Sequence, residues 1–297
     1  MENIPKVFYS YWDGNKLSYL QYLTIISFQK FNPDWKVVIY MPIERFIDIT
    51  WNTNEQKKPY IGKDYLEDLY KLDIEIRKID FEKIGFKNNV SEVYKADYIK
   101  YYILGNYGGL WSDMDIIYIK PIEKIINKNS VIYGNPNKID TVICFVNSEI
   151  KMLNNQLYNL YDYYPVGFLL SSKNNKYFLE LVENAKKYLN QNNYQSIGCK
   201  MLISLYKKPE EIYKKNNELN ILVLDKFSYL PYVWYEIENI FYNNTPENIK
   251  ENTVGIHWFN GGDLSKDYQN LFETEKNGNI SLINKGSIFP YIQEYIK

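Results

Sequence analysis

The sequence predicts a single α/β domain with a mainly parallel central sheet flanked by helices. Segments typical of strands alternate with segments typical of helices over residues 7–119, as they do in parallel sheets with helical connections. The 297 residues are 45% hydrophobic and 24% charged, so the chain can bury a full core. An acidic pair, Asp113 and Asp115, follows a short apolar strand, and ligands of open α/β sheets bind at such strand ends.

The first half of the chain carries the more regular elements. Residues 7–12 are a β-branched and aromatic run that ends at a glycine-containing turn. Residues 17–31 have apolar side chains at steps of three and four and are expected to form a helix. A second helix is predicted at residues 91–104, with Ser91 as its N-cap and glycines at its end. Further strands are expected at residues 36–41, 74–79 and 116–119.

The second half is less regular, and no repeat or linker divides the chain. Strands are expected at residues 130–133, 141–146 and 253–258, and helices at residues 176–189 and 196–206. Residues 207–220 are polar and charged, and we expect them to form a solvated surface element.

The charge balance argues against a partner recruited by a global electric field. Lys and Arg number 35 and Asp and Glu 36, a net charge of −1, so we expect no nucleic acid and no anionic membrane. No run of about 18 apolar residues occurs, and the first residues lack a signal-peptide pattern, so the expected location is cytoplasmic, or the host cytosol if the source is viral. Cys144 and Cys199 stand in apolar surroundings and are expected to be buried thiols.

The pair Asp113 and Asp115 is the main candidate for chemistry. Carboxylate oxygens are hard ligands for Mg²⁺ or Mn²⁺, and such an ion can hold a diphosphate. An isolated Asp-x-Asp is usually a solvated turn. Here apolar residues 110–111 and 116–117 flank the pair. Unpaired carboxylates in such surroundings lose hydration at a cost of roughly several kcal/mol, which a bound cation would offset.

A second charged pair lies in the helix that precedes the acidic pair. Asp97 and Lys100 are three residues apart and therefore share one helix face, as an ordinary surface ion pair would. Between Asp97 and Asp113 come the rest of the helix, two glycines and a short strand. This order of elements indicates a common site better than either pair does alone.

These residues resemble the glycosyltransferases that have a DXD-containing sugar-binding region. That family includes the yeast initiating α-1,6-mannosyltransferases, many capsular polysaccharide synthesis proteins and, more distantly, the large clostridial glucosylating toxins. Its shared core runs Ala-Asp-x-x-Arg-Tyr, an apolar helix, Gly-Gly, an aromatic residue and Asp-x-Asp. Residues 96–101 read Ala-Asp-Tyr-Ile-Lys-Tyr, and residues 108–115 read Gly-Gly-Leu-Trp-Ser-Asp-Met-Asp. Lys100 stands where the family has arginine, and an ammonium cannot form the planar bidentate contact of a guanidinium.

Three other segments resemble the family more weakly. Residues 4–12 are similar to its opening strand, residues 32–35 to the phrase after its first helix, and residues 255–258 to its late His-Trp segment. The family's closing small residue and tryptophan are replaced by Asn-Gly-Gly-Asp at residues 260–263.

The resemblance implies a GT-A type fold in one domain, residues 1–297. Residues 1–122 would be the nucleotide-sugar-binding half, and residues 123–297 the smaller acceptor-side half with a closing segment. Asp113 and Asp115 would be the catalytic acids, with Asp115 bound directly to Mn²⁺ or Mg²⁺ and Asp113 contacting the ribose or the metal through water. His257 is the third candidate metal ligand. The residues expected to bind the donor are Tyr11, Trp12, Asp97, Lys100, Asp113 and Trp258, with Trp12 stacked on the base.

The implied activity is transfer of a hexose from a nucleotide sugar to a glycan or another hydroxyl acceptor, with the anomeric configuration retained. UDP-hexose is favoured over GDP-mannose as the donor, and no general base is required. Two alternatives stay open. One is a non-catalytic carbohydrate-binding protein with a decayed transferase site. The other is a phosphatase of the haloacid-dehalogenase type, which normally has threonine or valine where Ile117 stands.

Overall fold

A central sheet of eight strands draws on both halves of the chain. The computed structural model describes residues 3–127, 130–153, 156–275 and 283–296. Within these ranges the strands are β1 Val7–Tyr11, β2 Lys36–Pro42, β3 Glu75–Ile79, β4 Gly109–Ser112, β5 Ile116–Tyr118, β6 Val131–Tyr133, β7 Thr141–Cys144, β8 Glu149–Leu153, β9 Gln156–Leu160, β10 Phe168–Ser171, β11 Ile221–Leu224 and β12 Gly255–His257. The helices are α1 Tyr19–Phe31, α2 Leu66–Leu69, α3 Glu92–Asn106, α4 Lys176–Tyr188, α5 Cys199–Leu205, α6 Pro209–Lys215, α7 Ile237–Phe241, α8 Asp263–Glu275 and α9 Phe289–Ile292.

The strand order explains where a site can form. The order is β3-β2-β1-β4-β10-β7-β11-β6, and the pairs β3–β2, β2–β1, β1–β4 and β7–β11 are parallel. The pairs β4–β10, β10–β7 and β11–β6 are antiparallel. The predicted α/β class with a mainly parallel sheet and flanking helices is confirmed. Because β1 and β4 are parallel neighbours, the segments that follow them leave the sheet at the same edge.

Helix α1 begins with a capping box and packs against the turn that carries the acidic pair. The Ser18 N–H donates to Gln21 Oε1 at 2.9 Å, and the Gln21 N–H donates to the Ser18 hydroxyl at 3.4 Å. The Thr24 hydroxyl donates to the Met114 carbonyl at 3.2 Å. The middle of α1 is therefore tied to the residue between the two acids.

Helix α3 runs two residues past its predicted end, and two glycines then turn the chain into β4. Ser91 occupies the N-cap position, but its side chain makes no capping hydrogen bond. Gly108 and Gly109 have φ of 67° and 109°, values that favour glycine. A Cβ on Gly109 would lie 2.6 Å from the Val7 carbonyl oxygen, so this glycine allows β4 to lie close beside β1.

The second half contains several elements that the sequence did not indicate. These are the antiparallel hairpin β8–β9 and the buried strands β10 and β11 of the central sheet. The strands β5 and β12, which form a small antiparallel pair, were both predicted. Residues 207–220 are not simply a solvated element, because α6 buries Ile212 completely. The predicted helix at residues 196–206 begins later, at Cys199, because Gly198 precedes it in a non-helical conformation.

Apolar packing accounts for the remaining predictions about the core. Among the described residues, buried apolar side chains form three clusters, one on the α3 and α4 side of the sheet, one on the α1 side, and one around α8 and β12. Cys144 and Cys199 are both free thiols; Cys144 is buried as predicted, whereas Cys199 is partly exposed. No helix in the described ranges is long and apolar enough to cross a membrane.

Candidate active site

The acidic pair lies on the turn between β4 and β5, at the carboxyl edge of the parallel strands. Two segments that are distant in the chain hold this turn. The Asp113 N–H donates to the Gly167 carbonyl at 2.8 Å, just before β10. The Asp115 carbonyl accepts from the Trp258 N–H at 2.9 Å, just after β12. The sheet pairings β4–β10 and β5–β12 thus bring residues of the second half to each acid.

Asp115 faces His257, the single histidine of the chain. Its Oδ1 lies 3.1 Å from His257 Nε2, and its Oδ2 accepts from the Asn260 N–H at 2.8 Å. Burial raises the pKa of Asp115, but the imidazole and the Asn260 hydrogen bond outweigh burial and hold that pKa below its usual value. Burial lowers the pKa of His257, whereas Asp115 and then Asp113 raise it, and the net shift is upward. The two side chains form a buried ion contact.

Lys100 connects the α3 pair with the acidic pair. Its Nζ lies 2.9 Å from Asp97 Oδ1 and 3.4 Å from Asp113 Oδ1. It also donates to the Val166 carbonyl at 3.2 Å. Burial lowers the pKa of Lys100, but Asp113 and Asp97 raise it by more, so the ammonium stays charged although only 1% of the residue is exposed. The prediction that Asp97 and Lys100 share a helix face is confirmed.

Asp97 keeps one carboxylate oxygen without a partner. The residue is 5% exposed, and Oδ2 makes no hydrogen bond to any described atom. Burial raises the pKa of Asp97 by more than Lys100 lowers it. A Cβ on Gly198 would stand 2.8 Å from Oδ2, so a glycine at this position leaves room beside the oxygen. Buried polar atoms are nearly always paired, and this one indicates the place of a polar ligand.

The space between Asp113 and His257 suits a divalent cation. A Cβ on Gly167 would lie 3.1 Å from Asp113 Oδ2 and 3.6 Å from His257 Nε2, so the glycine leaves a cradle between them. Apart from its contact with His257 Nε2, Asp115 Oδ1 accepts no hydrogen bond in the described structure. No three His, Cys, Asp or Glu side chains of the described ranges form a complete metal cage. Mg²⁺ is usually held by one or two carboxylates with waters and substrate phosphates, so these residues fit such an ion.

Tyr11 and Trp12 lie at the end of β1, but their polar atoms are already used. The Trp12 indole N–H donates to the Asn15 carbonyl at 3.0 Å. The Tyr11 hydroxyl donates to the Glu92 carboxylate, and burial together with Glu92 raises the pKa of Tyr11. Both rings are mostly buried. Contact of these rings with a nucleotide stays a prediction.

Trp258 has a supporting position in the structure. Its side chain is fully buried in the apolar cluster around α8 and β12, away from solvent. Its main-chain N–H holds the Asp115 carbonyl. A direct contact of the indole with the donor, as predicted, would require that cluster to open.

Lys266 is a charged residue of the site that the sequence did not indicate. It lies on α8, is almost completely buried, and its Nζ donates to Asn260 Oδ1. Burial lowers the pKa of Lys266 to about 8, and the fields of Asp115 and Asp13 oppose this shift. No motif marks this lysine in the sequence. Only its place after the His-Trp segment could have suggested it.

The family comparison covers the part of the chain that carries these residues. Residues 20–132 match the family described as glycosyltransferase sugar-binding region containing DXD motif. The matched span includes Asp97, Lys100 and both acids of the β4–β5 turn. No curated protein matches the chain.

Several solved structures are similar to the chain at low identity. PaToxG glycosyltransferase is 15% identical over 72% of this chain and 75% of that chain, with a TM-score of 0.40. Galactosyltransferase LgtC in complex with donor and acceptor sugar analogs is 12% identical over 91% and 95%, with a TM-score of 0.40. A glycosyltransferase involved in the glycosylation of the major capsid of PBCV-1 is 10% identical over 89% and 99%, with a TM-score of 0.40.

The family match and the residues agree with each other. The matched span contains the helix, the two glycines and the acidic pair on which the resemblance was based, and the structure brings these together at one sheet edge. The resemblance is therefore confirmed for residues 20–132, which match the glycosyltransferase sugar-binding region containing the DXD motif.

Proposed function

We propose that the protein transfers a hexose from a nucleotide sugar to a hydroxyl of a glycan or another acceptor, and that transfer requires Mn²⁺ or Mg²⁺. One observation carries this proposal. The unpaired Oδ2 of Asp97 and the carboxylates of Asp113 and Asp115 lie near the buried ammonium groups of Lys100 and Lys266. A ligand that presents both sugar hydroxyls and a diphosphate satisfies both kinds of group. Within this proposal we favour UDP-hexose over GDP-mannose and a GT-A type arrangement.

Asp115 and Asp113 would hold the divalent cation, with His257 as the third candidate ligand. When bound, the cation supplies Lewis-acid chemistry that neutralises charge on the departing diphosphate. The fit rests on the cradle at Gly167 and on the Oδ1 of Asp115 that faces His257.

The side chains of the chain itself divide into two functional groups. Asp97 Oδ2 would accept a hydrogen bond from a hydroxyl of the transferred sugar, because it is buried and has no other donor. Lys100 orients Asp97 and Asp113 and adds positive charge beside the leaving group. Lys266 adds a second positive charge near Asp115. In a retaining transfer the proton of the acceptor hydroxyl passes to a leaving-group oxygen, so no side chain is assigned as a general base.

A thermal-shift panel tests the proposal directly. A ligand at a free concentration of 100 times its Kd stabilises a protein by about 2.7 kcal/mol. UDP-sugars and GDP-sugars should therefore raise the melting temperature, and should do so more strongly with Mn²⁺. Asp115→Asn should remove the Mn²⁺-dependent part of the shift and abolish transfer. Asp34→Asn, a change at an exposed acid far from the site in sequence and paired with Lys6, is the matched control.

Each remaining alternative has its own outcome, either in the thermal-shift panel or in an activity assay. A shift produced by free sugars and indifferent to nucleotide and Mn²⁺ would support a non-catalytic carbohydrate-binding protein. Release of phosphate from sugar phosphates without any nucleotide would support the phosphatase. Wild-type transfer by Asp115→Asn would refute the metal role.

A further inference from the structure

A long irregular segment crosses the candidate site. Residues 43–65, which we call the strap, connect β2 to α2 without any helix or strand. Its central residue Trp51 packs against Tyr94 at 5.9 Å and against Tyr194 at 5.2 Å between ring centroids. Further on, the Gln56 N–H donates to the Gly261 carbonyl at 3.0 Å. The strap therefore joins the α3 side of the site to the turn that follows His257.

The start of the strap is fixed by a buried ion pair. Lys95 Nζ lies 2.9 Å from Glu92 Oε1 and donates to the Glu44 carbonyl at 2.9 Å. The Phe46 N–H donates to the same Glu92 oxygen at 2.6 Å. Because Glu92 also accepts from Tyr11 at the end of β1, the strap is held in register with the strand beside the acidic pair.

Backbone strain is concentrated where the strap meets the rest of the site. In the described part of the chain, four residues other than glycine have positive φ. Three of them are Gln56 at 64°, Gln195 at 67° and Phe259 at 54°. Gln56 Nε2 and the Tyr194 hydroxyl lie 3.0 Å and 3.6 Å from the point where a Cβ on Gly261 would stand. The three turns that contain Gln56, Gln195 and Phe259 therefore meet at this point. Strained backbone of this kind is typical of functional sites.

Glu55 brings an unpaired carboxylate to this junction. Its main-chain carbonyl accepts from the Trp51 indole at 3.0 Å, whereas its side-chain Oε2 is buried and makes no hydrogen bond to a described atom. Burial first, and then the fields of Asp97 and Glu55, raise the pKa of Tyr194, as expected for a phenol with both carboxylates nearby. Asp97 Oδ2, 95% buried by residue, is the second unpaired oxygen of the same region.

We propose that Glu55 accepts a hydrogen bond from a hydroxyl of the sugar substrate, so that the strap is a wall of the sugar-binding site. This inference rests on the proposed function. The chemistry selects the ligand class, because carboxylate oxygens without donors attract neutral hydroxyl groups and repel a diphosphate. The diphosphate belongs on the side of Lys100 and Lys266, and the sugar on the side of Asp97 and Glu55.

The substitution Glu55→Gln tests this assignment, with Asp48→Asn as the matched control, because Asp48 is an exposed carboxylate on the same strap. Affinities for UDP and for UDP-glucose and UDP-galactose are measured by titration calorimetry with Mn²⁺. The rate of transfer to methyl glycosides is measured at varied concentrations of donor and acceptor, which gives the KM of each. We expect Glu55→Gln to bind UDP with an affinity within about twofold of wild type. Either its affinity for the UDP-sugar should fall, or its KM for the methyl glycoside should rise, by about tenfold or more.

This experiment distinguishes a hydroxyl of the donor sugar from a hydroxyl of the acceptor sugar. Weaker binding of the UDP-sugar, with UDP unchanged, assigns the hydroxyl to the donor. A raised KM for the methyl glycoside alone assigns it to the acceptor. Wild-type values for both, or an equal loss in Asp48→Asn, would overturn the role of Glu55. Wild-type protein that binds neither UDP nor the UDP-sugars would refute the proposed function and this inference with it, whereas intact wild-type activity with a silent Glu55→Gln would refute the inference alone.

Discussion

The buried pair Glu92–Lys95 offers the sharpest test of how the strap is held. Lys95 is 0% exposed, and its ammonium is paired with Glu92 Oε1 at 2.9 Å. Glu92→Ala would leave that ammonium with the Glu44 carbonyl and the Phe81 ring, whose centroid is 5.5 Å away. It would also remove the acceptor used by the Tyr11 hydroxyl.

The magnitude follows from the burial of both partners. Removing one member of a buried ion pair leaves an uncompensated charge and costs about 3–5 kcal/mol in the free energy of unfolding. Replacing both charges with apolar side chains of similar size costs much less, and can be neutral. We therefore expect Glu92→Ala to be strongly destabilising, and the double change Glu92→Met with Lys95→Met to recover a large part of the loss. Asp34→Ala, which breaks a solvent-exposed pair with Lys6, should change stability little.

Urea unfolding followed by tryptophan fluorescence measures all three variants. The midpoint should fall clearly for Glu92→Ala, partly return in the double variant, and stay near wild type for Asp34→Ala, with similar m-values throughout. If Glu92→Ala and Asp34→Ala shift the midpoint equally, or if the double variant is less stable than Glu92→Ala, the reasoning about the buried charge is refuted.

Three other predictions concern the site and its support. Burial lowers the pKa of Lys266 to about 8 in the folded state, against about 10.4 in an unfolded chain, so the unfolded state binds more protons between these pH values and the free energy of unfolding rises with pH there. Lys266→Met should lose this pH-dependent contribution. A pH profile in urea unfolding that is the same for Lys266→Met and wild type would contradict the prediction. Lys100→Arg should keep Mn²⁺-dependent donor binding within about threefold. Lys100→Met should lose tenfold or more, because the buried Asp97 and the partly exposed Asp113 lose their cation. Calorimetry that finds the two variants alike would be inconsistent with that charge role. Gly109→Ala should lower the free energy of unfolding by roughly 2–4 kcal/mol, because a positive φ and a Cβ 2.6 Å from the Val7 carbonyl oxygen act together. Gly14→Ala should lower it by about 1 kcal/mol, because Gly14 has a positive φ but no atom within 4 Å of the added Cβ. Equal losses in denaturant unfolding would rule out the close approach at Gly109.

Local patterns in the sequence determined the first half of the fold. β-branched runs, helical spacing and turn residues act within a few positions of the chain, so β1, α1, β2 and α3 were predicted to within a few residues of their observed ends. The spacing of Asp97 and Lys100 on one helix face and the place of the acidic pair after β4 are local in the same sense. They carry the resemblance to the DXD-containing sugar-binding region, which the family match over residues 20–132 confirms.

Tertiary structure decided the second half and the surroundings of the acids. β10 and β11 are fully buried short strands, and such short apolar runs carry no period that distinguishes them from other buried segments. Gly167, Lys266 and Glu55 reach the site only because β10, α8 and the strap fold back to the carboxyl edge of the sheet. Burial, which sets the charge and the free hydrogen-bonding capacity of Asp97, Asp115 and Lys266, is a property of these long-range contacts and is not encoded in any short stretch of the sequence.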